Sequence, residues 1–331
     1  MRSLYLLEPY GMAGLEGEQV VIRRGGDLLE RVRLPLLDQI LVMGNVQLST
    51  PLLRACLQRN VAVAYLSRSG WCHGRLIPVE RGYRHRSRYQ LDLGDGERLT
   101  AARQLVAGKV ANGRVLLQRL TRRERRSLVD DTLKRLQWHQ DQIKHASSAE
   151  RIRGLEGNAA SDYFHALGAL LETDGFPFLG RHRRPPTTGF DALCGFGYSV
   201  LWNAVYSLCD LHGLDPYEGV LHAGSSRHAA LVSDLIEPLR TLLVDPFNVW
   251  LIRTRQLKAQ SEHLEARDGG VFLSDVGRRI WLQRWGTYMA EVVTISEGVR
   301  GPRWDLLDRL VRSFVRFLYQ PSEGLVIPGR R

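Results

Sequence analysis

"RGYRHRSRYQLDLGDGERLT", residues 81–100, marks a change in the grammar of the chain. It is polar, charged and glycine-containing, and it has no apolar period. On either side the sequence is patterned, but differently. Upstream lie short β-branched or leucine-rich runs: "SLYLLE" (3–8), "EQVVIRR" (18–24), "DLLERVRLP" (27–35), "DQILVMGN" (38–45), "VAVAYLS" (61–67) and "HGRLIPV" (73–79). Turn signals such as Gly25-Gly26 and Gly44-Asn45 separate them, which predicts strands. One helix is expected among them, "TPLLRACLQRN" (50–60), with Thr50 as N-cap and Pro51 at the first helical position.

Downstream the pattern turns helical. Leu105, Val106, Val110, Val115, Leu116, Leu120 and Leu128 recur at a spacing near the helical period. Ser147-x-x-Glu150 reads as a capping box opening a helix towards Leu171. "FDALCGFGYSVLWNAVYSLCDLHG" (190–213) reads as a long apolar helix ended by Gly213. "FLSDVGRRIWLQRWGTYMAEVV" (272–293) and "DLLDRLVRSFVRFLYQP" (305–321) read as amphipathic helices, and "PSEGLVIPGRR" (321–331) as a loose tail. The expected fold is therefore α+β: a small N-terminal β-rich domain over 1–84, a linker over 85–98, and a larger all-α domain over 99–331.

The 331 residues carry a net charge of +11, which favours an anionic partner such as nucleic acid or a membrane surface. Lys109, Lys134, Lys144 and Lys258 are the only lysines. Arginine grips phosphate bidentately, although GC-rich coding produces the same bias. Cys56, Cys72, Cys194 and Cys209 form no C-x-x-C pair, so neither a zinc site nor a disulfide framework is signalled. The start, "MRSLYLLEPYG", lacks the apolar core and cleavage site of a signal peptide, and no unbroken apolar run approaches eighteen residues. A cytoplasmic protein that does not enter the membrane is expected.

Within "GVLHAGSSRHAALVSDLIEPLR" (219–240), His222 precedes two acids, Asp234 and Glu237, that share a helix face. One histidine and two carboxylates suit a divalent cation, and the same spacing also suits a solvated surface pair. Farther upstream, Glu156 sits between Gly154 and Gly157 inside a predicted helix. Glycines there cost helix stability, so they signal either a tight helix crossing or close approach of another molecule beside the carboxylate. Pro238 follows Glu237 directly and should kink its helix. Residues 101–153 hold thirteen Lys or Arg against five Asp or Glu, which reads as either a solvated helix face or a polyanion surface. "RHRRPP" (181–186) is a second basic knot, in a loop stiffened by prolines.

Taken in order, "GLEGNAASDYF" (154–164), "RHRRPPTTGFDALCGFGYSVL" (181–201) and "VLHAGSSRHAALVSDLIEPLR" (220–240) resemble the CRISPR-associated integrase family, the universal subunit of spacer acquisition. "DQILVMGNVQLSTPLLRACLQRNVAVAYLSRSGWCHGRL" (38–76) resembles that family's β-domain, so the likeness spans nearly the whole chain. It implies a metal-dependent DNA endonuclease and integrase that joins 3′-hydroxyl ends of captured foreign DNA to a CRISPR repeat, in antiviral defence. It implies Mg²⁺ or Mn²⁺ on Glu156, His222 and Glu237, with Asp234 beside the metal rather than on it. It also implies double-stranded DNA as substrate, a homodimer formed through the β-domains, and a small ferredoxin-like adaptation protein as partner. Arg181, Arg183 and Arg184 become candidates for phosphate contacts. Tyr10 matches a tyrosine that stacks on the duplex end, unless it is a buried structural residue. Two departures stand out: Glu237 where many relatives have Asp, and Thr188-Gly189-Phe190-Asp191 where Asp-Pro-x-Asn is common. Asp191 therefore receives no DNA role. A structure-selective metal-dependent nuclease and a non-catalytic architectural DNA-binding protein are the alternatives.

Overall fold

The computed structural model describes residues 2–77, 85–122, 127, 129–172, 174–178, 180–182, 185–224, 228–259 and 262–329. The chain divides into two compact units, Met1–Gly82 and Tyr83–Arg331.

The first unit holds two four-stranded sheets. β1 (Ser3–Leu6), β5 (Gln39–Met43), β7 (Ala62–Leu66) and β8 (Cys72–Leu76) form one sheet in that spatial order, parallel except for β8. β4 (Asp27–Arg33), β3 (Gln19–Arg24), β2 (Met12–Glu16) and β6 (Gln47–Leu48) form the other. β5 is buried along its whole length, as its unbroken Ile-Leu-Val-Met run requires of a central parallel strand. The core between the sheets contains Leu6, Val20, Ile22, Ile40, Val42 and Val63, joined by Leu52 and Cys56 of α1 (Thr50–Gln58). The cap of α1 is Ser49 rather than Thr50: the Ser49 hydroxyl accepts from Leu52 N at 3.4 Å. β2 was not expected, because "MAGLE" has no β-branched residue; its pairing to β3 forms it.

The second unit is mostly helical. Its helices are α2 (His85–Leu91), α3 (Asp95–Leu120), α4 (Asp130–Lys144), α5 (Ala149–Glu172), α6 (Gly189–Leu211), α7 (Ala230–Leu239), α8 (Asp245–Arg253), α9 (Asp275–Ala290) and α10 (Trp304–Tyr319). Two short ribbons, β9 (Leu264–Arg267) with β10 (Gly270–Leu273) and β11 (Val292–Ser296) with β12 (Val299–Pro302), decorate it. α6 lies at the centre. It is long and apolar enough to cross a membrane by length and composition, a property the unbroken-run reading overlooked, and 78% of its apolar window is buried inside this unit.

Three further expectations need correction. The linker over 85–98 is helical for most of its length. Polar bonds hold it instead of an apolar stripe: buried Gln90 donates to Asp215 O and accepts from Asp215 N, and Arg98 donates to Leu93 O and Gln90 O. The cap of α5 is Ser148, which accepts from Arg151 N at 3.1 Å, not Ser147. Residues 324–328 are not loose. Leu325 is buried, Leu325 N donates to Gln104, Val326 N donates to Ser313, and Ile327 fills the space that a side chain at Gly108 of α3 would need.

Candidate functional site

Three helices converge on one cation. Lys109 of α3 lies between the carboxylates of Glu156 on α5 and Glu237 on α7; its Nζ is 2.5 Å from Glu237 Oε2 and also bonds Glu156 Oε1. The close approach depends on Gly113, one turn beyond Lys109, where a Cβ would sit 3.1 Å from the Tyr163 ring. Asn112 crosses from α3 to the carbonyls of Pro238 and Pro328, and Thr241 donates to the Lys109 carbonyl at 2.9 Å. α7 does not stop at Pro238. The chain widens into a π-helical turn over Arg240–Val244 and continues as α8.

Arg240, at the start of the turn, returns to Glu237 Oε1 at 3.2 Å. Burial would push the Glu237 carboxyl up, but Arg240 and Lys109 outweigh it and hold the group at about 2.

His222 and Asp234 form the second half of the site. Asp234 is fully buried and accepts from Val220 N at 2.6 Å, Leu221 N at 2.9 Å, His222 N at 3.2 Å and the His222 ring Nδ1 at 2.5 Å. That ring bond raises the imidazole above its ordinary value, against the pull of burial. The loop is also held from α3, where Arg98 donates to Gly219 O, and from α5, where Arg153 donates to Leu221 O. Gly219 is required there, because a Cβ would lie 2.8 Å from Asp234 Oδ2.

A cavity of about 270 Å³ opens beside Lys109 and Glu156 and is lined by Tyr163, Arg181, Tyr198 and Arg240. At its floor Asp245 accepts from Tyr163 at 2.9 Å and Tyr198 at 2.6 Å. Burial raises the Asp245 carboxyl to about 6 despite both phenols. Arg181 and Arg240 lie over the Tyr198 ring, 5.7 and 5.0 Å from its centre.

The structure thus brings Glu156 and Glu237 together on Lys109, and His222 together with Asp234. Among the described residues no three His, Cys, Asp or Glu side chains are gathered as a metal cluster. Gly154 and Gly157 face open space, so the tight helix crossing is ruled out as their cause. Arg181 is engaged by buried Asp191, at 2.8 Å, and Asp191 also accepts from His182 N. Arg183 and Arg184 lie outside the described residues. Tyr10 belongs to the first unit and is 81% exposed in a left-handed backbone conformation, which removes the buried reading. Sequence reasoning missed Lys109. The available signal was a lysine in an arginine-rich chain, next to Val110 in the apolar stripe of its helix.

The family model described as CRISPR associated protein Cas1 matches residues 4–287. A CRISPR-associated endonuclease Cas1 of Moorella thermoacetica is 32% identical over 287 residues, covering 84% of this chain and 83% of that protein. The solved structure of a CAS1 protein from Thermotoga maritima superposes at a TM-score of 0.81 over 100% of both chains, with 23% identity. A chain of a solved Cas6-RT-Cas1–Cas2 complex superposes at 0.83, with 21% identity, over 99% of this chain and 36% of that one. At those identities the structural likeness speaks to the fold.

Proposed function

The chain belongs to the CRISPR-associated Cas1 family, and from that premise we propose that it joins 3′-hydroxyl ends of short DNA duplexes to a CRISPR repeat by transesterification. The 3′-oxygen of the fragment forms a bond to a repeat phosphorus while the bond from that phosphorus to its own 3′-oxygen breaks. The proton of the attacking hydroxyl ends on the leaving oxygen, and no ATP is needed.

The observation that carries this reading is the pair Glu156 and Glu237, distant in sequence and closed on one cation beside a cavity lined by guanidinium groups. The donor set suits Mg²⁺ or Mn²⁺. Two carboxylates already share a positive charge, and His222, with Nδ1 fixed by Asp234, keeps Nε2 for a ligand. Bound to Glu156, His222 and Glu237, such a cation would supply Lewis acidity to the phosphate and stabilise charge on the entering and leaving oxygens. Asp234 holds the imidazole in one orientation. Arg240, whose buried Nε has no hydrogen-bond partner among the described residues, offers a donor to the phosphate from the cavity wall. Double-stranded DNA, a second copy of this chain and a small ferredoxin-like adaptation protein complete the proposed assembly, in line with the Cas1–Cas2 complex whose chain shares the fold.

The test combines the protein, its small partner, a duplex with free 3′ ends and a supercoiled repeat-bearing plasmid in Mn²⁺. Joined product is expected, and Glu156→Ala, His222→Ala and Glu237→Ala should each abolish it. A duplex with 3′-dideoxy ends should give none. Plasmid nicking that persists with blocked ends, with no joining from free ends, would instead establish a hydrolytic nuclease. Joining by Glu237→Ala at the unmodified rate would overturn the assignment of the site.

A further inference from the structure

We infer that Lys109 is a built-in counter-ion seated between Glu156 and Glu237, and that a divalent cation binds there by exchange with it. The inference rests on the proposed reading of those two carboxylates as metal ligands. Lys109 Nζ touches both of them, and its side chain is only 10% exposed. An ammonium at 2.5 Å from one carboxylate leaves no room between the pair for an ion that itself approaches oxygen to roughly 2.0–2.6 Å. Two cations forced into that space would also repel each other strongly in a buried site. Metal and ammonium therefore exclude each other.

The surroundings fit a side chain that swings while its helix stays still. Thr241 and Asn112 fix the backbone of α3 against the π-helical turn and Pro238. The cavity lined by Lys109, Tyr198 and Arg240 gives the displaced ammonium a place to go. Before exchange, Lys109 balances the two acids and ties α3, α5 and α7 together. After exchange it adds a third cation, with Arg181 and Arg240, to the cavity wall. Lys109 is thus a positioning residue that sets the metal affinity of the site.

Two measurements on the full chain test this. Isothermal titration with Mn²⁺ should show Lys109→Met binding about tenfold tighter than the natural protein, within the usual range of couplings between competing events. Lys109→Arg, which retains a cation, should stay near the natural value, and Glu237→Ala should lose the site in every background. The second measurement needs no variant. Acetylation of the natural protein, read by mass spectrometry, should show Lys109 becoming at least about fivefold more reactive in Mn²⁺, while Lys134, Lys144 and Lys258 stay unchanged. Equal or weaker Mn²⁺ binding in Lys109→Met overturns the exchange and leaves the metal reading intact, as does Mn²⁺ binding with no rise in Lys109 reactivity. Absence of Glu237-dependent Mn²⁺ binding in both proteins overturns the metal reading and this inference with it.

Discussion

Asp234 shows how much one side chain can do once its surroundings are known. By spacing alone it is the partner of Glu237 on a helix face. In the structure it is the buried acceptor around which residues 220–222 fold, with three backbone N–H groups and the His222 ring directed at its two oxygens. Removing that acceptor strands buried donors, and each costs roughly 1–3 kcal/mol when left unmet. Asp234→Ala should therefore lower stability by about 3 kcal/mol as well as disorient His222. His222→Ala should cost far less stability, because that side chain is 34% exposed, while abolishing joining outright. Thermal denaturation of the two variants side by side checks this; equal melting temperatures would mean that the loop holds its shape without the carboxylate. Sequence could name Glu156, Asp234 and Glu237 as candidates because acids at fixed spacing beside glycine or histidine are visible in one dimension. It could not show Lys109 between two of them, because that relation joins three helices and exists only after packing.

At the scale of elements, what the sequence revealed follows the source of each element's stability. β5 and α6 were legible because hydrophobic burial writes itself as an apolar run or stripe. α2 and the start of α3 were not, because Gln90 and Arg98 hold them through hydrogen bonds to distant carbonyls, a pattern with no period. The C-terminal segment was misread for a related reason. "PSEGLVIPGRR" looks like a tail, yet Ile327 inserts beside Gly108 and Pro328 O accepts from Asn112, the residue that also braces Pro238. The segment thus supports the helix that carries Lys109. Deleting residues 325–331 should remove the contacts of buried Leu325 and half-buried Ile327, at most about 1.5–3 kcal/mol for a fully buried side chain and less for Ile327, and should lower the melting temperature by several degrees. A loose tail would leave the melting curve unchanged, and urea titration of the truncated protein distinguishes the two.

At the scale of the whole molecule, the net charge of +11 is a statement about DNA only where the arginines are free to meet it. Arg181 is not free. It lies 2.8 Å from Asp191, which is fully buried at the first turn of α6, and its own side chain is 13% exposed. Arg181→Ala would leave a buried carboxylate with only His182 N and threonine hydroxyls as partners, so it should lose about 3 kcal/mol of stability. The sequence places Arg183 and Arg184 in the same basic loop, and the expectation for them is different. If both meet phosphates, each releases a counterion on binding, and the slope of log affinity against log salt falls by roughly 0.9 for each contact removed. The joint change Arg183→Ala with Arg184→Ala should therefore flatten that slope by about 2 units and weaken binding evenly across sequences, with the melting temperature unchanged. Fluorescence anisotropy of a labelled duplex between 50 and about 200 mM salt measures it. An unaltered slope would take the 181–186 loop out of the DNA interface and leave the charge of residues 101–153 to account for binding.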